Sequence, residues 1–354
     1  MAVINPWSKR MVPVIGILTA KKKDGTIAGN GPLFIELQKK LISLNGISFI
    51  FTLDGVHADS IDGFTYIPEK DEWERINSPY PDLVYNRIPF RKSEEEITHS
   101  GFFSRLKEQN IPFFNPGFID KFELYRLLKN HPALHSYLPA TISAIQKQKL
   151  MIFLSQYQSV YLKPAQSARG NGIFILNVDS QKRIHLKGLN KCEEFLTFDH
   201  FWQEWEDLLM KKNYLAQEEI KSLLYEGKRF DFRILAHAEN NQYIVTGVGI
   251  RQSQKQDITT HVPTGGRLLP YELLQTEEHD LFIHTIVKQI GEALSEQFGF
   301  FGEFSIDAGI SQSGHYYIYE VNSKPMSFDE NEIEERKIDH LCNLFLQLTG
   351  YPDI

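Results

Sequence analysis

Cysteine is scarce in this chain of 354 residues: only Cys192 and Cys342 are present, far apart and without metal-ligand spacing. That argues against a disulfide framework or a structural zinc site, and it fits a reducing compartment, so a cytoplasmic protein is expected. Positive charge is not in excess. A formal net charge of −7 argues against broad nucleic-acid or anionic-membrane binding. No apolar run approaches the ~20 residues of a membrane span. The nearest imitation of an export signal is Lys9-Arg10 followed by apolar residues 11–20. Pro13 and Gly16 interrupt it and no small-x-small cleavage site follows, so Val14, Ile15, Ile17 and Leu18 are expected in a buried first strand. The phosphate-binding signatures GxxxxGK[ST] and GxGxxG are absent as well.

What is present is ordinary globular composition, with 42% hydrophobic residues, enough to bury a large core without staples. The length suggests two or three compact units. Through the first hundred or so residues, strand-like runs (12–18, 47–53, 82–85) alternate with a helical spacing over 32–44, which predicts a small parallel α/β unit of Rossmann type. Ligands in such units gather beyond the strand C-termini, which marks Asn86 and Arg87 as candidate substrate contacts; a surface salt bridge explains the arginine equally well. The prolines of Ile111-Pro-Phe-Phe-Asn-Pro116 place a boundary, so units of 1–115 and 116–354 are expected. Beyond it, helices are predicted over 121–130, 195–210 and 281–298. Strands are predicted over 159–163, 173–178, 214–220, 230–238, 243–251, 302–310 and 315–322.

The last two strands carry the strongest chemical signal. Glu320 and Asn322 are two apart and leave the same strand face, as do Glu303, Ser305 and Asp307 on the partner strand. A turn centred between Gln312 and Ser313 sets Ser305 opposite Glu320 and Glu303 opposite Asn322, with Asp307 diagonal to Glu320. Carboxylates gathered on one face repel unless a cation joins them, and an oxygen-only set suits Mg²⁺. Phe300, Phe301, Phe304, Tyr317 and Val321 argue that this is not simply a solvated polar face.

Four weaker signals accompany it. In Tyr161-Leu-Lys-Pro-Ala-Gln-Ser-Ala-Arg-Gly-Asn-Gly172 a strand-ending Lys163 precedes a small-residue loop. The amides of Ser167, Gly170 and Gly172 would suit phosphate oxygens there, although an ordinary turn reads the same way. In Leu215-Ala-Gln217-Glu218-Glu219-Ile220 a strand ends in polar groups able to read an adenine edge, with Glu218 or Glu219 accepting from the exocyclic amine, although an ordinary strand end reads the same way. Asp231 and Arg233 share a strand face, and Arg251 ends the next strand; two arginines on one cleft suit a transferring phosphoryl group, and each also suits a structural ion pair. A loop of hydroxyls and glycines, Thr259-Thr260-His261-Val262-Pro263-Thr264-Gly265-Gly266, offers His261, Gly265 and Gly266 as substrate contacts.

The order of these elements resembles the ATP-grasp fold over roughly residues 116–325. Within that superfamily the chain is most similar to the YheC/YheD-type endospore coat-associated proteins. The resemblance rests on Asp82-Leu-Val-Tyr-Asn-Arg87, Ile119-Asp-Lys-Phe-Glu123, Leu138-Pro-Ala-Thr141, Tyr161-Leu-Lys-Pro164, Arg229-Phe-Asp-Phe-Arg233 and Tyr319-Glu-Val-Asn322. It implies an α/β (α+β) architecture: an N-terminal Rossmann-like pre-ATP-grasp domain, a lid lobe near 140–215 and a C-terminal lobe near 216–354. It implies ATP and two Mg²⁺ ions as cofactors. Lys121 and Lys163 match nucleotide lysines, the 217–220 stretch matches the adenine hinge, and Asp231 is counted with the nucleotide contacts. Asp307, Glu320 and Asn322 match magnesium ligands. Arg251, with Arg233 beside it, matches the arginine that neutralises transition-state charge. The loop Thr259-Thr260-His261 departs from the Arg-Ser-Asn stretch of related ligases. The implied reaction joins a small-molecule or peptide carboxylate to an amine or thiol through an acyl phosphate. Two other readings stay open: a phosphotransferase acting on a hydroxyl, and a non-catalytic protein of the spore coat. The substrates and the oligomeric state are not encoded in any motif.

Overall fold

The structure is a computed structural model that describes residues 12–143, 145–165, 172–254, 258, 260, 262 and 265–351. It contains three sheets. The first is built from β1 (Val14–Leu18), β2 (Ile47–Val56), β3 (Ser60–Ile67), β4 (Glu72–Pro79), β5 (Leu83–Asn86) and β6 (Phe113–Phe114), in the order β4-β3-β2-β1-β5-β6. Helices α1 (Gly31–Ser43), α2 (Arg91–His99) and α3 (Phe102–Glu108) connect it. The alternation in the sequence predicts only parallel pairing. The sheet is mixed: β1 pairs in parallel with β2 and β5, and β5 with β6, but β2/β3 and β3/β4 are antiparallel. The hairpin β3–β4 escapes a hydrophobic pattern search because Glu-Trp-Glu-Arg-Ile-Asn-Ser-Pro presents mostly polar side chains at a sheet edge. Asp71 at φ 54° closes its turn.

The second unit starts at α4 (Lys121–Asn130), where the Asp120 side chain accepts hydrogen bonds from the amides of Phe122 (2.8 Å) and Glu123 (3.1 Å). This cap fixes where the helix begins, and so where Lys121 sits. Strands β7 (Thr141–Ile142), β8 (Ser159–Pro164), β9 (Phe174–Val178), β10 (Ile184–Gly188), β11 (Cys192–Phe195) and β12 (Tyr214–Glu218) form an antiparallel sheet ordered β11-β10-β9-β8-β12-β7. Helices α5 (Lys147–Tyr157) and α6 (Phe198–Lys211) cover one face of it; Thr197 caps α6, accepting from His200 N.

The third sheet, ordered β16-β15-β14-β17-β18, comprises β14 (Lys228–Glu239), β15 (Gln242–Gln252), β16 (Arg267–Leu269), β17 (Glu303–Ile310) and β18 (Tyr316–Asn322); the short β13 (Leu224–Tyr225) pairs with β14. The long helix α7 (Glu277–Phe298) packs on its inner face. The β17/β18 register departs from the expected one. The turn is a three-residue loop with Gly314 at φ 82°, and a bulge follows Asp307. Together they slide the pairing by two residues, so Asp307 faces Glu320 directly and Ser305 faces Asn322. From Ser305 to Asp307 the slip is two, which keeps Ser305, Asp307, Glu320 and Asn322 on one shared face as expected.

The last helix, α8 (Asn331–Thr349), turns back to the N-terminal sheet. Its Leu341 and Phe345 share a core with Ile15, Phe34, Leu37 and Tyr85. Asn115, at the expected boundary, is fully buried; its side chain donates to the carbonyls of Glu303 (3.0 Å) and Ser323 (2.8 Å). The N-terminal sheet and the β17–β18 hairpin are therefore one mechanical piece. Phe345 lies against both Tyr85 and Phe114. Phe345→Ala should cost about 3–5 kcal/mol of stability. Denaturant unfolding followed by tryptophan fluorescence and by circular dichroism should show one shared, lowered midpoint; two separate transitions would contradict the shared core.

Candidate active site

The facing carboxylates of the hairpin set the geometry. Asp307 accepts from Arg233 Nη1 at 2.8 and 2.9 Å, and Arg233 is its register neighbour on β14. Glu320 pairs with Lys121 at 3.0 Å, and the Asn322 amide nitrogen approaches Asp307 at 3.4 Å. Each carboxylate thus has one cation of its own. Asp307, Glu320 and Asn322 offer only oxygen donors to a metal, which fits a hard ion such as Mg²⁺. Among the described residues no group of three or more His, Cys, Asp or Glu side chains could hold a metal alone. Such an ion would therefore need oxygens from a ligand as well, as Mg²⁺ in phosphate sites does. Glu303 and Ser305, expected on the same face, are fully buried instead: Glu303 pairs with Arg87 at 2.8 Å and accepts from the Tyr85 hydroxyl.

Across the cleft, antiparallel pairing of β8 with β12 brings Lys163 beside Gln217; the lysine donates to Gln217 Oε1 at 2.5 Å. Part of the Lys163 side chain meets solvent, but burial of its ammonium pushes the pKa down to about 8. Glu320 opposes that shift, and Lys121 and Arg229 add to it. At the hinge, Glu218 and Ile220 line the cleft. The Glu218 carboxylate accepts from Ala140 N at 2.8 Å, and that of Glu219 from the Ser159 hydroxyl at 2.5 Å, so both are already engaged within the second sheet and its approach. Gly172, at φ +74°, accepts from the Tyr214 hydroxyl at 2.8 Å. Ser167, Gly170 and His261 lie outside the described residues.

The far end of the cleft is rich in arginine. Arg229 pairs with Asp231 (3.0 Å) and donates to the Tyr161 hydroxyl (2.7 Å), while Asp231 also accepts from Thr260 (2.8 Å). Arg251 pairs with Asp329 at 3.0 Å; burial and the nearby Arg233 lower its pKa. Gly265 sits at φ +97° in a turn closed by its own amide on the Val262 carbonyl. Asn86 and Arg87 turn inward. The Asn86 amide approaches Glu94 (3.3 Å) and the Pro116 carbonyl (3.4 Å), and Arg87 holds Glu303 and the Pro325 carbonyl.

Sequence reasoning missed Arg229, Tyr161 and Lys324 as cleft residues. The signal was available for two of them: Arg229, Asp231 and Arg233 alternate along one strand, and Lys324 continues the spacing of Glu320 and Asn322. In the nucleotide-free protein, NMR titration of Lys163 should give a midpoint near 8 rather than the ordinary 10.5. Glu320→Gln removes a charge that favours the ammonium, so the midpoint should fall further. A midpoint that rises or stays put in that variant would contradict this electrostatic coupling.

Comparison with known proteins agrees with this geometry. The YheC/D-like ATP-grasp family matches residues 110–349. The endospore coat-associated protein YheD of Bacillus subtilis (strain 168) is 28% identical over 350 residues, covering 91% of this chain and 75% of that protein. YheC of the same organism is 22% identical, covering 79% of this chain and 81% of YheC. Among solved structures, D-alanyl-alanine synthetase A from Vibrio cholerae superposes with a TM-score of 0.56 at 14% identity, covering 97% of this chain and 100% of that one. The VanG D-Ala:D-Ser ligase of Enterococcus faecalis gives 0.56 at 13% identity, covering 96% and 99%. The ATP-grasp ligase PsnB complexed with a minimal precursor also gives 0.56, at 12% identity and 95% and 99% coverage. Three sheets in this arrangement are an ATP-grasp fold, and the chain belongs to the YheC/D-like ATP-grasp family.

Proposed function

We propose that this protein is an ATP- and Mg²⁺-dependent ligase that joins a carboxylate to an amine or thiol through an acyl phosphate. The observation that carries the reading is the pair Asp307 and Glu320, facing each other across the hairpin, each held by one cation and both opposite Lys163. Nothing in a purely structural hairpin requires two opposed carboxylates to line a cleft. Magnesium held by Asp307, Glu320 and Asn322 would neutralise phosphate charge and favour attack at the terminal phosphorus. Lys121 and Lys163 orient the phosphates as point charges, and Arg233 and Arg251 stabilise negative charge on the oxygens of the transferring group. A carboxylate oxygen bonds the γ-phosphorus as the bond to the bridging oxygen breaks and ADP leaves. The nucleophile then attacks the acyl carbon, phosphate departs, and the nucleophile gives up one proton. No side-chain nucleophile is needed, so positioning and charge neutralisation carry the rate. Segment 159–178 acts as part of the lid, with the base against 217–220. The coat association of YheD and YheC and the precursor bound by PsnB extend the proposal to an endospore coat link and to a peptide as one class of substrate.

Calorimetric titration of ATP into wild type, with and without Mg²⁺, tests this directly. Binding should depend on Mg²⁺, and Glu320→Ala should weaken it by about tenfold or more, the equivalent of losing one charge-assisted contact. Folded wild type that binds no ATP would sink the enzyme reading.

A further inference from the structure

Beside the nucleotide cleft lies a second chamber of about 500 Å³, wider than the cleft's own 230 Å³. The two share a wall: Lys121, Lys163, Gln217, Glu320 and Asn322 line both. Away from that wall the second chamber has an apolar stretch, lined by Leu124 and Leu128 of α4, by Leu138, and by Ile318 and Val321 of β18, with Arg91 and Lys324 also in its lining. The hinge residues Glu218 and Ile220 line the narrower space and not the wider one. A base held at Glu218 and Ile220, and not at Gln217, which lines both spaces, leaves the wide chamber free.

The cations around the chamber divide into saturated and available groups. Lys324 lines it, but its three ammonium hydrogens meet three acceptors: Asn86 Oδ1 at 3.0 Å, the Ile88 carbonyl at 3.3 Å, and Glu94. Arg91 gives one of its N–H groups to the Ile119 carbonyl at 2.8 Å and lies over the Phe118 ring, so further donors stay open on that side of the chamber. Lys163, with Gln217 as its hydrogen-bond acceptor, and Lys121, with Glu320, keep donors for a ligand, and both stand in the shared wall. The chamber thus offers open donors in the shared wall and at Arg91, and an apolar stretch away from that wall.

We infer that this chamber receives the acid to be activated, and that this acid is a monocarboxylate with an aromatic or branched aliphatic body. The inference rests on the ligase reading and names its substrate class. Its carboxylate meets Lys121 and Lys163 next to the terminal phosphate, and its body packs against Leu124, Leu128, Leu138 and Ile318. A volume of this size suits such a body. A second carboxylate lodged among Leu124, Leu128 and Leu138 would lose its hydration with no partner there, so dicarboxylates are disfavoured.

The test takes wild type saturated with Mg²⁺ and a non-hydrolysable ATP analogue and titrates 3-phenylpropanoate, 4-methylpentanoate, acetate and glutarate. With ATP in place of the analogue, hydroxylamine traps the acyl phosphate: its nitrogen bonds the acyl carbon, phosphate leaves, and a hydroxamate accumulates with ADP. The two apolar acids should bind, and form hydroxamate, at least about tenfold better than acetate or glutarate, the discrimination expected of an apolar pocket. Leu124→Trp, which fills the chamber, should remove that preference and leave the affinity for Mg–ATP unchanged. Ile119→Trp, at a half-buried lining position, serves if the first variant does not fold. Absence of Mg–ATP binding in wild type fails the ligase reading itself. With Mg–ATP bound, equal use of glutarate, or no reaction with any of the four acids, overturns the substrate class alone. A tryptophan variant that loses ATP instead of the acid makes the chamber part of the nucleotide site and also overturns it.

Discussion

Two carboxylates facing each other across one rung of a β-hairpin repel strongly in a half-buried cleft, and the arrangement around Asp307 and Glu320 follows from offsetting that repulsion. Arg233 reaches Asp307 from the neighbouring strand, and Lys121 reaches Glu320 from the start of a helix. Neither cation is free to sit elsewhere. Arg233 is placed by strand register, and Lys121 by the Asp120 cap. Lys163 comes from a different sheet, and its ammonium feels the same cluster from across the cleft. The consequence is a partly buried cleft in which each of the two carboxylates has one cation at hydrogen-bond distance.

Beneath this layer a second set of buried ions holds the hairpin in place. Arg87 at the end of β5 pairs with the fully buried Glu303, and Lys324, two residues beyond Asn322, pairs with Glu94 of α2. Glu94 also accepts from Phe118 N at 2.5 Å, on the approach to Lys121. One carboxylate therefore ties together the N-terminal unit, the outlet of the hairpin and the entry to α4. Buried pairs of this kind add little net stability over a well-packed apolar alternative, yet removing one partner costs about 3–5 kcal/mol because it strands the other. Their value here is positional: they fix the strand that carries Glu320 and Asn322 relative to the helix that carries Lys121.

The same network explains why Asn86 and Arg87 look like site residues in the sequence. They do stand at the C-terminal end of a parallel strand, where ligands gather in open α/β sheets. In this molecule the place is taken by the β17–β18 hairpin, and the polar groups satisfy Glu303, Glu94 and backbone carbonyls. Three elements were hidden for comparable reasons. The polar edge hairpin β3–β4 shows little of its buried face, the bulge after Asp307 leaves no trace in spacing, and α8 gives no hint of which core it joins.

Sequence alone determined what depends on neighbours along the chain. Helix α4 starts at its capped residue, the alternation of Glu320 and Asn322 puts them on one face, and Arg229, Asp231 and Arg233 share another, because capping and strand periodicity are local. The identity of the donor atoms, oxygen and not sulfur, was legible for the same reason. Tertiary structure alone decided which carboxylate faces which, since register depends on a loop and a bulge whose energies are small and close together. It also decided that Glu303 and Arg87 are buried together, that Lys324 is saturated, and that a partly apolar chamber stands beside the cleft lined by Asp307 and Glu320. Each of these is a relation between segments distant in sequence, set by how three sheets pack and not by any one of them.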